Sequence, residues 1–265
     1  MGRSTRARGW RKIATAVWGW PDDPQVYGRL ELDAQPIVDA VAALRERTGA
    51  RVTPTHLVTR ALALALRDNP SINTRLARGR FLPRESVDVF LIVSAAGGGD
   101  LSGVKVRAAD EKGAPDIARE LDERVASARE GRGELDAAKK FMAAMPPSAL
   151  GAMLRLSAFL TSNLHLDLKS LGMPRDAFGS AMVTNVGVFG VHEGWAPLSP
   201  IYRVPILVLV GEINERPWVV GDRVEPRPVL PLTATIDHRW VDGYGIAGLT
   251  ETFKKYLANP LAYET

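Results

Sequence analysis

The chain contains no cysteine. Disulfides, thiol nucleophiles and cysteine-ligated zinc are therefore excluded, and the absence fits a reducing compartment, so a cytoplasmic location is expected. Histidine is scarce too. His56, His165, His192 and His238 are the full set, and none stands at HExxH or a similar ligand spacing, so no metal site is expected. No apolar run reaches the ~18 residues of a membrane span, and the start lacks the apolar stretch of a signal peptide. No membrane partner is expected. There is no internal repeat, low-complexity tract or Ala/Pro-rich linker.

What remains is an ordinary globular composition, 46% apolar and 24% charged over 265 residues. Such a chain can bury a full core without staples, as one large domain or two small ones. The net charge of +4 is concentrated at the start, at Arg3, Arg6, Arg8, Arg11 and Lys12. Residues 1–9 read as a flexible, solvated basic tail. No nucleic-acid module follows it, so no nucleic-acid partner is expected.

Periodicity predicts mixed helices and strands. Gly9 to Trp20 reads as a short helix stopped by Pro21, and Val26 to Leu32 as a strand. Ile37, Val41 and Leu44 mark a helix from Pro36 to Arg47, with Gly49 as its stop. Thr55 to Arg67 is apolar almost all the way round and should be deeply buried. Val87 to Ala95 and Leu101 to Val106 read as strands joined at Gly97-Gly98-Gly99-Asp100, a turn rather than a phosphate loop. Asp116 to Arg129 is an amphipathic helix. Ala181 to Asn185, Val204 to Ile213, Trp218 to Val220 and Val229 to Ile236 read as strands, with Gly221-Asp222 a hairpin turn. Ile246 to Leu257 closes the chain as a helix. Without strict βαβ alternation, this pattern favours an α+β fold. Residues 135–172 stand apart: Met142, Met145, Leu150, Met153, Leu154, Leu156, Phe159 and Leu160 form an apolar helical segment broken at Pro146-Pro147.

The most informative stretch is Asp237-His238-Arg239-Trp240-Val241-Asp242-Gly243. A strand leads in and a helix leads out. Histidine titrates near neutrality, so at a strand end it suits proton transfer. On residue type alone, His238 and Asp242 are equally well read as caps of the next helix.

These seven residues resemble the DHRxxDG signature of the dihydrolipoamide acyltransferase catalytic domain of 2-oxo-acid dehydrogenase complexes, and the related HxxxDG of chloramphenicol acetyltransferase. Other blocks resemble that family in its own order: Arg11-Lys12-Ile13-Ala14, Leu57 to Leu66 with Asn69-Pro70-Ser71-Ile72-Asn73, Asp116 to Arg129, Thr184-Asn185-Val186-Gly187-Val188-Phe189-Gly190, and Pro205 to Gly211. The resemblance implies a chloramphenicol acetyltransferase-like α+β fold, two layers with a mixed sheet and helices on one face. A single catalytic domain would span 10–265, with a helical insertion at about 135–172. It implies transfer of an acyl group between coenzyme A and a dihydrolipoyl-type thiol. His238 would be the general base and Thr184 the oxyanion donor, with Asn185, Gly187 and Gly243 at the substrate. Asp242 would orient the site by pairing with Arg11 or Arg239. It further implies a homotrimer with active sites between subunits, and cages built of trimers. No lipoyl segment precedes residue 10, so a lipoyl carrier would act in trans. The alternative is a non-catalytic scaffold oligomer that keeps the fold.

Overall fold

The computed structural model describes residues 5–6, 24–94, 101–129, 146–168, 175–199 and 203–264. Its main sheet has seven strands, in the order β2-β10-β8-β7-β5-β6 with β9 paired to β10. These are β2 (Gln25–Asp33), β5 (Val89–Ser94), β6 (Leu101–Val106), β7 (Ala181–Asn185), β8 (Ile206–Val210), β9 (Asn214–Val220) and β10 (Arg223–Asp237). β5, β7 and β8 run parallel to one another, and the other pairings are antiparallel. A smaller sheet joins β1 (Thr5–Arg6), β4 (Arg80–Pro83) and β3 (Thr74–Ala77).

Alternation along the strands decides which face is covered. Val89, Leu91, Ala181, Val183, Ile206, Val208 and Val210 point to one face. There they pack with buried residues of α1 (Gln35–Thr48), α2 (Pro54–Asp68), α3 (Ala114–Arg129) and α5 (Gly243–Ala258). Phe90, Met182 and Leu207 point the other way, against Leu198 and Val204. The fold is therefore a mixed sheet with its helical layer on one face, as the sequence leads one to expect.

α2 is the centre of that layer. All of Leu57–Leu66 is buried except Arg60. Its start is fixed by a reciprocal cap, in which the Thr53 N–H donates to His56 Nδ1 at 3.0 Å. Burial pushes His56 down from 6.5 to about 4; Asp122 opposes the shift and Arg45 adds to it.

Several elements differ from expectation: β9 starts at Asn214 instead of Trp218, and the expected strand Val204 to Ile213 is strand only over Ile206–Val210. The β3–β4 hairpin was not anticipated. It turns on Arg78 and Gly79, both at positive φ (51° and 69°), the backbone that a tight hairpin requires. β10 starts at Arg223 instead of Val229, because Pro226 sits opposite Pro217. Two prolines can share that rung only where neither N–H would have pointed into the ladder. In the distinctive segment, α4 (Pro147–Ala158) and a π-helical turn at Phe159–Asn163 are described. The expected helix at Gly9–Trp20, the turn at 97–100 and residues 135–145 and 169–172 lie outside the described residues.

Candidate active site

β10 ends at Asp237, and the chain then turns tightly. The N–H groups of Trp240 and Val241 both donate to the Asp237 carbonyl, at 3.0 and 3.2 Å. Most side chains of the turn have an internal occupation. The Asp237 carboxylate takes the Arg239 N–H at 2.9 Å and its guanidinium, Nη2 to Oδ2 at 2.6 Å. Trp240 is buried, and its Nε1 donates to the Thr74 carbonyl at 3.1 Å. Val241 is fully buried. Asp242 caps α5, accepting the Gly245 N–H at 2.9 Å. His238 donates its backbone N–H to the Pro24 carbonyl at 2.9 Å, and its side chain is half-buried.

This corrects one expectation. Arg239 does form an ion pair, but with Asp237 and not with Asp242. The two-residue spacing lets the guanidinium fold back onto the carboxylate at the strand end, while Asp242 is already turned to the helix N-terminus. Arg11, the other expected partner, lies outside the described residues. Gly243 opens α5, where an added Cβ would meet nothing within 4 Å in this copy of the chain.

Thr184 is the penultimate residue of β7, on the sheet face away from the helices, and is partly exposed. Its hydroxyl makes no hydrogen bond among the described residues. The next residue anchors the turn: Asn185 Nδ2 donates to Thr55 Oγ1 at 2.7 Å, and its Oδ1 accepts from the Val188 N–H at 3.3 Å. These contacts of Asn185 are internal. Gly187 then presses on the end of β8, where a Cβ would lie 2.5 Å from the Gly211 carbonyl oxygen. Beyond it, Val188, Phe189 and Val191 are exposed.

In one copy the two proposed reactive groups are not together. Thr184 is level with Leu209 of β8, and Leu209 with Thr233 of β10. His238 lies five residues further along β10 and two strands across, which separates the two backbones by about 19 Å. They occupy opposite ends of the sheet. Two features were missed from sequence: the Trp240–Thr74 anchor, and the clamp of Asp237 on Arg239. The signal for the clamp was an aspartate two residues before an arginine at a strand end.

Among the described residues, no cluster of acidic groups and histidines could hold a metal, and no helix is long and apolar enough to cross a membrane.

The family described as 2-oxoacid dehydrogenases acyltransferase (catalytic domain) matches residues 15–140 and 174–264. The chain belongs to this family. The match passes over 141–173, most of the segment that composition singles out. Among curated relatives, the dihydrolipoyllysine-residue acetyltransferase component of the pyruvate dehydrogenase complex of Zymomonas mobilis is 23% identical, over 90% of this chain and 45% of its own length. The corresponding component of the acetoin cleaving system of Bacillus subtilis is 27% identical, over 82% and 44%. The chain thus spans less than half the length of these relatives. In fold it is similar to a probable dihydrolipoamide acetyltransferase from Listeria monocytogenes (TM-score 0.66, 19% identity, covering 94% of this chain and 88% of that one). The cubic core of the pyruvate dehydrogenase multienzyme complex gives 0.65, with 20% identity and 92% and 85% covered. Chloramphenicol acetyltransferase gives 0.52, with 12% identity and 94% and 96% covered.

Proposed function

We propose that this chain is an acyltransferase that moves an acyl group between coenzyme A and a dihydrolipoyl-type thiol, at a site shared by two copies. The observation that carries the reading is the turn after β10. Asp237, Arg239, Trp240, Val241 and Asp242 are each tied into the chain, and together they fix where His238 stands. Family membership supplies the chemistry that this geometry can perform.

The neutral imidazole of His238 takes the proton of the incoming thiol, and the thiolate attacks the thioester carbonyl. The tetrahedral oxyanion accepts a hydrogen bond from the Thr184 hydroxyl of a neighbouring copy. Collapse expels the other sulfur, which recovers the proton from His238. The separation of the two groups within one copy supports an assembly that brings opposite sheet ends together. So do the exposed apolar side chains beside each: Val188, Phe189 and Val191 next to Thr184, and Tyr244, 91% exposed, next to the His238 turn. A homotrimer closes such a head-to-tail contact into a ring. Similarity to a chain that forms a cubic core supports a higher assembly of such rings. The lipoyl group would be presented by a separate carrier or domain.

The test is direct. Purified protein, acetyl-coenzyme A and free dihydrolipoamide should give transfer that falls by ~10²–10⁴-fold in His238→Ala. Undiminished turnover in that variant, or none in a wild-type assembly, removes this reading.

A further inference from the structure

A second group of charged side chains lies where the segment passed over by the family match folds back on the sheet. The turn Phe159–Asn163 packs on β3, and Arg75 Nη1 donates to the Ser162 carbonyl at 2.7 Å. Just after β4 the Arg84 side chain is 3% exposed; it pairs with Asp176, and its Nη2 reaches the Arg203 carbonyl at 3.4 Å. Arg203 in turn feels the charges of Arg239 and Asp237, the clamp flanking His238.

Three observations point to an anion-binding site. Neither Arg75 nor Arg175 has a carboxylate partner among the described residues. Arg84 Nε and His165 Nδ1 are buried with no hydrogen-bond partner there. The backbone is left-handed at His165, Asp176 and Arg203, with φ of 59°, 58° and 53°. Three such non-glycine residues in one group mark a chain held in a costly shape, a feature that clusters at ligand sites. The electrostatics agree. Burial pushes Arg84 down to about 9, with Asp88 opposing and Arg75 adding to the shift. Burial also lowers His165; Arg75, Arg175 and Arg84 add to the shift and Glu85 opposes it.

We propose that Arg75, Arg84 and Arg175, with His165, form a receptor for a phosphate group. Guanidinium forks match phosphate oxygens, and a phosphate can take several of these donors at once. The phosphate has two sources, coenzyme A itself or free inorganic phosphate and pyrophosphate. The receptor stands apart from the transfer reading, because binding is measured with no acyl transfer.

The experiment is calorimetric titration of the full chain with pyrophosphate in phosphate-free buffer. Wild type is compared with the double variant Arg75→Ala/Arg175→Ala, which strands no paired carboxylate; near-UV circular dichroism checks that it is folded. Saturable binding that weakens with salt and drops by at least about tenfold in the variant is expected. No saturation in wild type up to millimolar pyrophosphate, or equal affinity in a folded variant, overturns the receptor. Competition with coenzyme A identifies the source. Displacement of pyrophosphate assigns the site to the thioester's phosphates, and retained pyrophosphate assigns it to free phosphate; either result keeps the receptor.

Discussion

Subunits carrying His238→Ala and subunits carrying Thr184→Ala, each nearly inert alone, should regain activity when assembled together. The reasoning is geometric. In one copy the two backbones are about 19 Å apart by strand register. Proton transfer and oxyanion contact each demand an approach of about 3 Å. The proposed site must therefore draw its histidine from one copy and its hydroxyl from the next. In a three-membered ring that holds both variants, about one interface in three joins an intact His238 to an intact Thr184. The mixed assembly should then show about a third of wild-type kcat, with KM unchanged, because the restored sites are chemically complete. Each parent assembly should lose activity by ~10²-fold or more. Co-expression under two different affinity tags and purification over both guarantees that every particle is mixed, and transfer from acetyl-coenzyme A to dihydrolipoamide is the readout. Mixed particles no more active than the sum of the parents would refute the shared site.

Two further outcomes concern stability. The Glu264 carboxylate, 2% exposed, takes the Tyr256 hydroxyl and the Ala114 N–H, both at 2.6 Å, with Arg60 Nε at 3.8 Å. Glu264→Ala should cost ~3–5 kcal/mol in urea unfolding, because it removes the buried carboxylate that faces Arg60 and leaves the Tyr256 hydroxyl and Ala114 N–H without their acceptor; a loss under ~1 kcal/mol would show that the tail latches nothing. His56, held at about 4 against an ordinary 6.5, binds its proton more readily in the unfolded chain. Its contribution to stability is complete above pH 6.5 and falls by about 3 kcal/mol as the pH drops toward 4. His56→Gln keeps the cap and should flatten that part of the profile, measured as the wild-type-minus-variant difference.

Much of the architecture is legible in local pattern. The apolar run Leu57–Leu66 is read as a buried helix and is one; the bounds of β6 and β7 coincide with the expected ones. The failures have local causes. β3 and β4 are four residues each and carry Arg75 and Arg80, so their alternation is too short to stand out; only Gly79, between Leu76 and Phe81, hinted at the turn. Pro226 and Pro228 argued against the first third of β10, and only pairing with β9 shows where a proline can stand. The site divides the same way. His238 and Thr184 are proposed from the motifs they stand in, since residue type alone singles out neither. Their separation is not legible in the motifs, because it depends on β8 lying between β7 and β10 and on the reversal of β10 against β8, which no short window of sequence contains.

Asp242 shows how two readings of one residue meet. From sequence it was either a cap or an orienting partner, and its carboxylate is seen on the Gly245 N–H at the head of α5. Capping is itself a way to orient. The turn from Asp237 has a fixed number of residues, so its far end is set once the first turn of α5 is nailed in place. Its near end is set by the antiparallel register of β10 with β2 and by the Asp237 N–H on the Pro205 carbonyl. Trp240 and Val241 then pin the middle to the core from below. With both ends and the floor constrained, the backbone at His238 has little freedom left, and no charged partner for Asp242 is needed to achieve it. The histidine-to-aspartate spacing is thus the length of a strand-to-helix turn whose last residue is the helix cap, which explains why the cap and the proposed base belong to one motif.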